Sequence, residues 1–283
     1  MKPDVTSAEK VKKLLEKQGY PFEMFVAKAF LDEGLDIVSA EYFIDKDSGE
    51  YREIDLHSYF QWTSKKICYS IRFIIECKVS KEKPWVICRT DPEADGDYML
   101  IHCHGDKLGD ELLAKYNFDE ELMGLPIISK KHNAGNTLVE IHEEKGKPSM
   151  AYAALQKVSK ALYSHIADRP YTHSAGRDLC EIYIPVIALD GNLFEAHLET
   201  DLVVNTVASG VITWHYPINE RLTVVHVVTK EGISDFIRTA KRTADVLFKK
   251  IRKDKSIEPY LLKRLTKDSE NASMKNRKKL KKK

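Results

Sequence analysis

The most informative segment of the chain is Ile71-Arg72-Phe73-Ile74-Ile75-Glu76-Cys77-Lys78. Its nearly continuous apolar run predicts a central strand, over residues 67–79, that is covered on both faces. Glu76 and Lys78 lie two residues apart on that strand, so their side chains project from the same face. Because an isolated charge in an apolar core is costly, both must be paired, solvated in a cleft or bound to a ligand.

The preceding strand, predicted over residues 51–60, carries a further acid. Its alternation predicts one face with Glu53, Asp55 and His57 and an opposite face with Ile54 and Leu56. If the two strands pair, Asp55 and Glu76 approach each other. Two close carboxylates repel unless a cation neutralises them, so the pair predicts a cation site.

Hard divalent cations prefer such oxygen ligands, and Mg²⁺ takes one or two carboxylates together with waters and a phosphate. The sequence therefore predicts a Mg²⁺ or Mn²⁺ site at Asp55 and Glu76. Lys78 lies where it could orient or deprotonate a water, or stabilise negative charge that develops on a phosphate.

Two helices are predicted before these strands. Ser7 can cap a helix over residues 8–18. A second helix, over residues 21–33, shows helical spacing of its apolar residues Phe22, Phe25, Val26, Ala29 and Phe30. Glu23 lies at the edge of this stripe, at the boundary between core and solvent.

The rest of the chain alternates between strands and helices. The patterns predict strands over 37–44, 84–88, 98–102, 181–189, 202–214 and 222–228, helices over 149–166 and 232–250, a turn at Asp190-Gly191-Asn192, and loops over 92–97 and 133–136. This order predicts a single α/β domain over residues 1–262, with a mixed central sheet flanked by helices.

Composition narrows the class of protein. The 283 residues are 43% hydrophobic and 31% charged, which is ordinary for a soluble globular protein. The apolar runs are too short to cross a bilayer, and the N-terminus lacks a signal-peptide core, so we expect a cytoplasmic protein without a membrane partner. The five cysteines include no C-x-x-C pair, which argues against a disulfide framework and against a cysteine-type structural zinc site.

The net charge of +2 conceals an asymmetry. Residues 271–283 contain seven Lys or Arg and no acid, and without them the chain has 38 basic and 43 acidic residues. We therefore predict a basic, disordered tail over residues 263–283, with non-specific affinity for nucleic acid as one possible role.

The order of these residues resembles the PD-(D/E)XK nuclease superfamily, which has the restriction-endonuclease-like fold. Glu23 lies in an opening helix, Ile54-Asp55 on one strand, and Glu76-Cys77-Lys78 at the end of the next. The resemblance covers residues 20–80, and Ile54 stands where the family name places proline.

The resemblance implies metal ligation by Asp55, Glu76 and the main-chain carbonyl of Cys77. It implies that Lys78 is the catalytic lysine and that Glu23 is an auxiliary ligand acting through water. The implied fold is the family core with a long insertion near residues 86–148 and additional C-terminal strands and a helix. The implied activity is Mg²⁺- or Mn²⁺-dependent hydrolysis of nucleic acid, with DNA as the expected substrate.

Other interpretations stay open. A Glu-x-Lys pair on a strand is also typical of a solvated edge. A catalytically inactive protein of the same fold would act as a nucleic-acid-binding or scaffold subunit of a defence or repair complex. For an active enzyme, cutting both strands of a duplex would favour a homodimer.

Further histidines and lysines have plainer interpretations. The cluster His102, Cys103, His104 and Asp106 offers metal-binding atoms, but neighbouring residues on a strand point to opposite faces, which favours a simple strand end. His132 and His142 are predicted in loops. Lys157 and Lys160 could line a phosphate path, although a solvated helix face is favoured for both.

Overall fold

The computed structural model describes residues 5–89, 99–101, 103–116, 119–131, 134–142, 149–168, 176–215 and 222–266. The helices in these ranges are α1 (Val5–Gln18), α2 (Tyr20–Asp32), α3 (Lys107–Lys115), α4 (Glu120–Met123), α5 (Met150–Asp168) and α6 (Ile233–Lys253), with a 3₁₀ turn at Lys230–Gly232 and a helical segment over 257–266. The strands are β1 (Asp36–Ile44), β2 (Tyr51–Thr63), β3 (Ile67–Cys88), β4 (Met99–Ile101), β5 (His104–Gly105), β6 (Ser129–Lys131), β7 (Ala134–Gly135), β8 (Thr137–Glu140), β9 (Asp178–Leu198), β10 (Leu202–Thr206), β11 (Ser209–His215) and β12 (Leu222–Thr229).

A ten-stranded mixed sheet lies at the centre, with the order β1-β2-β3-β9-β12-β11-β7. β5 and β10 also pair with β9, and β8 pairs with β3. Strands β1 to β3 are antiparallel neighbours, whereas β3 and β12 both run parallel to β9. The predicted mixed α/β fold, with a central sheet flanked by helices, is confirmed. None of the described helices combines the length and apolar composition that crossing a membrane needs.

Strand β3 is covered on both faces, as its apolar run predicts. Phe73 and Ile75 belong to a core cluster that also contains residues of α2 and α6. Ile74 belongs to a second cluster with the apolar residues of α5. Because side chains alternate along a strand, Glu76 and Lys78 continue the series of Ile74 on the α5 side of the sheet.

Two boundaries in the strand predictions are wrong. The separate strand predicted over residues 84–88 is the end of β3, which continues past a register shift between Ser80 and Trp85. The single strand predicted over residues 202–214 is two strands, because β10 turns back onto β9 whereas β11 pairs with β12.

The turn predicted at Asp190-Gly191-Asn192 is also wrong, because β9 runs straight through it. A Cβ atom on Gly191 would lie 2.4 Å from the carbonyl oxygen of Ser80 on the neighbouring strand. Gly191 therefore permits a close approach of β3 and β9 next to the register shift, a role that glycine plays within strands as well as in turns.

The middle and the end of the chain are more ordered than the patterns indicate. Strands β5, β7 and β8 of the segment 86–148 join the central sheet. The tail was predicted from residue 263, but residues 257–266 are helical, and Leu262 and Leu265 pack against the core. The rest of the tail and the predicted loop over 92–97 lie outside the described residues.

Helix α3 begins at a buried carboxylate. The Asp106 side chain accepts a hydrogen bond of 2.7 Å from the main-chain N–H of Gly109, which is an N-cap arrangement. Burial raises the pKa of Asp106 to about 7, and its main-chain hydrogen bonds, which lower the pKa, have a smaller effect. The folded chain therefore retains a proton here that the unfolded chain releases near pH 4.

This difference predicts a pH dependence of stability. The stabilisation of the folded chain by protonated Asp106 is fully present below about pH 4. It is lost as the pH rises through about 7, and the total loss in the free energy of unfolding is up to about 4 kcal/mol. Asp106→Asn keeps the cap and removes the titration. Urea unfolding from about pH 4 to pH 8 should show that the wild type loses stability relative to this variant as the pH rises.

Asp119 provides the matched control, since it caps α4 in the same way through the N–H of Leu122. Burial raises the pKa of Asp119, but the hydrogen bond with Lys250, the main-chain hydrogen bonds and the Lys250 charge together outweigh this, and the pKa is lowered. The wild type should therefore keep a nearly constant advantage over Asp119→Asn between about pH 4 and pH 8, and should lose it only as the pH falls below about 4. Identical pH profiles for the two variants would contradict the assignment.

Candidate active site

Strands β2 and β3 separate at the predicted site. Their antiparallel ladder runs from Thr63 paired with Cys68 to Leu56 paired with Ile75, and there it ends. Beyond it, the carboxylate of Asp55 accepts a hydrogen bond of 2.7 Å from the main-chain N–H of Cys77. A side chain thus replaces the main-chain carbonyl of the ladder, which leaves a fork between the two strands with Asp55 inside it.

Strand β1, the other neighbour of β2, is also irregular opposite Asp55. Strand β1 pairs Ser39 with Leu56 and Glu41 with Ile54, but the ladder omits Ala40. Ala40 has a φ of 56°, a left-handed conformation that a residue with a Cβ adopts at a cost. Both ladders of β2 are therefore interrupted at Asp55.

This distortion makes the predicted alternation of β2 wrong. Leu56 packs in the cluster with α2 and α6, whereas Ile54 packs in the cluster with α5. The two were predicted to share a face, which a regular strand requires. Asp55 and His57 still lie on the α5 side, where they contact residues of that helix.

Glu76 has no exposure to solvent, and two ammonium groups neutralise it. One of its carboxylate oxygens contacts Nζ of Lys78, its neighbour on the same face of β3. The other lies 2.7 Å from Nζ of Lys157 on α5. Burial raises the pKa of the Glu76 carboxyl, the Lys78 charge opposes this rise, and the Asp55 charge adds to it.

Lys157 connects the two carboxylates. Its Nζ lies 2.8 Å from Oδ1 of Asp55 as well as 2.7 Å from Oε2 of Glu76. Burial disfavours the ammonium form, but the charges of Glu76 and Asp55 outweigh this, so the pKa of Lys157 is raised. Lys157 is therefore an ammonium ion held between two acids.

The expectation of a solvated helix face is wrong for Lys157 and for Lys160. Lys160 also pairs with acids, at 2.9 Å from buried Asp45 and 2.8 Å from Asp47. A signal for Lys157 was present in the sequence, because it lies three residues after Ala154, within a turn of the buried stripe on α5. Its partners were not readable, since they lie about a hundred residues away along the chain.

An open pocket of about 420 Å³ gives access to the site. Four of the predicted residues line it, namely Glu23, Asp55, Cys77 and Lys78. Burial, followed by the charge of Asp55, raises the pKa of Glu23, whereas Lys157 lowers it. The structure thus brings Glu23 into the electrostatic field of Asp55, and Glu76 lies behind the pocket wall.

The donor set fits a hard divalent cation. Oδ1 of Asp55 and Oε2 of Glu76 face one common point, and a cation, the Lys157 ammonium, already lies between them. The second oxygen of each carboxylate is taken, by Cys77 N–H and by Lys78. A metal ion between the carboxylates requires only that the flexible Lys157 side chain move aside. Ligation by the Cys77 carbonyl and by Glu23 through water stays a prediction.

The other candidates do not gather at this site. His104 lies in β5, and Asp106 caps α3. His142 lies in an irregular segment, as predicted, and His102 and His132 are outside the described residues. The five cysteines are free thiols.

Comparison of the chain with models of protein families, with curated proteins and with solved structures found no match. The resemblance to the PD-(D/E)XK superfamily therefore rests on the residues of this chain alone.

The three-way contact at Lys157 predicts energetic coupling. Lys157→Met leaves Glu76 buried with one counter-charge fewer, and we expect a loss of about 2–4 kcal/mol at neutral pH. Adding Glu76→Gln removes the uncompensated charge, so the double variant should recover at least about 1 kcal/mol relative to additivity. Urea unfolding of the wild type, both single variants and the double variant measures this coupling.

Lys28→Met is the control, since Lys28 forms an exposed ion pair with Asp32 at 2.8 Å on α2. Loss of an exposed pair should cost less than about 1 kcal/mol. Strictly additive losses for Lys157→Met and Glu76→Gln would show that the contact contributes nothing specific.

Proposed function

We propose that this protein is a metal-dependent nuclease of the PD-(D/E)XK type that hydrolyses phosphodiester bonds of DNA. The observation that carries the proposal is the convergence of Asp55 and Glu76 on one cation position, beside Lys78 and at an open pocket. Paired acidic oxygens next to a lysine are suited to binding a cation and a phosphate together.

Each side chain has a role in this proposal. Asp55 and Glu76 hold the cation, and Lys78 stabilises negative charge on the phosphate or positions the attacking water. Glu23, at the pocket wall, accepts hydrogen bonds from water at the site. When bound, Mg²⁺ or Mn²⁺ would supply a Lewis acid for the phosphate and lower the pKa of a bound water.

Lys157 adds a feature to this scheme. Its ammonium neutralises the two acids when no other cation does, so the two carboxylates can lie close together in a buried setting. The Lys157 ammonium and a divalent ion would compete for the same acids, so the divalent ion could bind only after it displaces the lysine. The fork between β2 and β3 would then be stable both with and without metal.

The same contact supports a second candidate function. A lysine that satisfies both carboxylates makes a metal ion unnecessary for stability, which suits a nucleic-acid-binding or scaffold subunit that keeps the fold without turnover. The inactive protein would act as a subunit of a defence or repair complex, whereas an active nuclease would favour a homodimer, since two sites can cut both strands of a duplex.

A cleavage assay decides between the two. The full chain is incubated with supercoiled plasmid, circular single-stranded DNA or RNA, with Mg²⁺ or Mn²⁺ and with EDTA. Asp55→Ala and Lys78→Ala should each lower the rate of metal-dependent cleavage at least about a hundredfold, because each removes charge at the reacting phosphate.

Two variants on the same strands serve as controls. Glu53→Gln, two residues before Asp55, and Lys81→Ala, three residues after Lys78, change exposed side chains and should cleave at the wild-type rate. The enzyme proposal fails if the wild type cleaves none of the substrates, or if either site variant cleaves as fast as the wild type. Gel-shift binding without cleavage would support the scaffold function.

A further inference from the structure

A second group of metal-ligating side chains lies on the same side of the sheet as the candidate active site. Glu41 on β1, His57 on β2 and His165 on α5 each offer one donor atom, and these atoms lie within 4.8 Å of one another. His165 follows Lys157 by eight residues on α5, which corresponds to about 12 Å along the helix axis. The group therefore shares no residue with Asp55 and Glu76, although His57 follows Asp55 by two residues on β2.

The two histidines lie on either oxygen of the Glu41 carboxylate. Oε2 of Glu41 contacts Nδ1 of His57, and its Oε1 lies 4.0 Å from Nδ1 of His165. The two imidazole rings are 5.0 Å apart between centroids. His57 is 1% exposed and His165 7%, so both rings are held by packing, while Glu41 keeps contact with solvent.

The orientation of His165 is supported from its other face. The ring of Tyr183 on β9 stacks on it with 6.3 Å between centroids and 20° between planes. The Tyr183 hydroxyl donates a hydrogen bond of 2.5 Å to buried Glu181, which fixes the tyrosine in turn. Neighbouring groups that orient a ligating histidine are typical of protein metal sites.

We propose that Glu41, His57 and His165 bind one transition-metal ion of the Zn²⁺ class. Two imidazoles and one carboxylate form a donor set that suits Zn²⁺ and related ions, whereas the all-oxygen set at Asp55 and Glu76 suits Mg²⁺ or Mn²⁺. Four ligands at about 2.0–2.1 Å hold neighbouring donor atoms roughly 3.3 Å apart, so small side-chain rotations complete the site.

The ion acts as a structural tie in this proposal. Its ligands come from β1, β2 and α5, so it fixes the helix that carries Lys157 onto β1 and onto β2, the strand that carries Asp55. Three protein ligands would leave one position of a four-coordinate ion for water. The inference does not depend on nuclease activity.

The test uses the full chain without a polyhistidine tag, stripped with EDTA and kept reduced. Zn²⁺ binding is measured by competition with a chromophoric chelator, and Co²⁺ binding by visible absorption. We expect one equivalent of Zn²⁺, a Co²⁺ spectrum without thiolate charge-transfer bands, and a thermal midpoint that rises with Zn²⁺ and falls again with EDTA.

Variants assign the ligands. Glu41→Gln and His165→Gln should each weaken Zn²⁺ binding at least about a hundredfold, since removal of a ligand costs more than removal of a supporting group. His197→Gln is the matched control, because His197 also pairs with a glutamate, Glu199, at 3.0 Å, but lies on β9 away from this group. It should bind as the wild type does, and far-UV circular dichroism in EDTA checks that each variant folds.

The double variant Asp55→Asn with Glu76→Gln separates the two sites, since it should lose binding at the carboxylates and keep the Zn²⁺ equivalent. The proposal is overturned if the folded wild type binds less than one equivalent, or if Glu41→Gln and His165→Gln bind as tightly as the wild type. Thiolate bands in the Co²⁺ spectrum would assign the metal to cysteines and would also overturn it.

Discussion

The Glu76 carboxylate has no access to water, and an ionised carboxylate in such a place is stable only when cations surround it. Lys78 supplies one cation from the same strand, and Lys157 supplies the other from α5. Because the buried charge of Glu76 needs cations from both β3 and α5, it links the central strand to the helix that covers it. It also draws in Asp55, because the Lys157 ammonium contacts both acids.

The fork between β2 and β3 is the second element that the site needs. A regular ladder would have placed main-chain groups opposite Glu76, and there would be no space for a side chain between the strands. The ladder instead ends at Leu56 and Ile75, and Asp55 satisfies the N–H of Cys77 with its carboxylate. The unusual conformation of Ala40 on the far side of β2 belongs to the same distortion.

Helix α5 is the element on which both groups of polar residues converge. Its apolar face packs on the sheet, and two polar side chains on that side reach strand residues at two levels, Lys157 at the fork and His165 beside His57 and Glu41. Because the two residues are eight apart, the two levels are two helical turns from each other. One helix therefore positions both groups of polar residues.

The local sequence determined much of the framework. The continuous apolar run ending in Glu76 and Lys78 predicted a strand buried on both faces, and the 3.6-residue periodicity predicted α2, α5 and α6, because both signals are read within about ten neighbouring residues. The residue patterns pointed to Asp55 and Lys78 and placed Glu23 at the edge of the apolar stripe of α2, and the family resemblance added Cys77. All four line one pocket.

Only the tertiary structure decided the rest, since it depends on contacts between distant residues. Asp190-Gly191-Asn192 has the composition of a turn, but the close approach of Ser80 makes it part of a strand. The alternation of β2 fails at Asp55 because the ladder with β3 ends there and the ladder with β1 skips this position. Lys157 and His165 acquire their partners only when α5 packs on the sheet. Local periodicity predicts the secondary structure of a segment. The partner of a buried charge instead depends on which distant segments pack against each other.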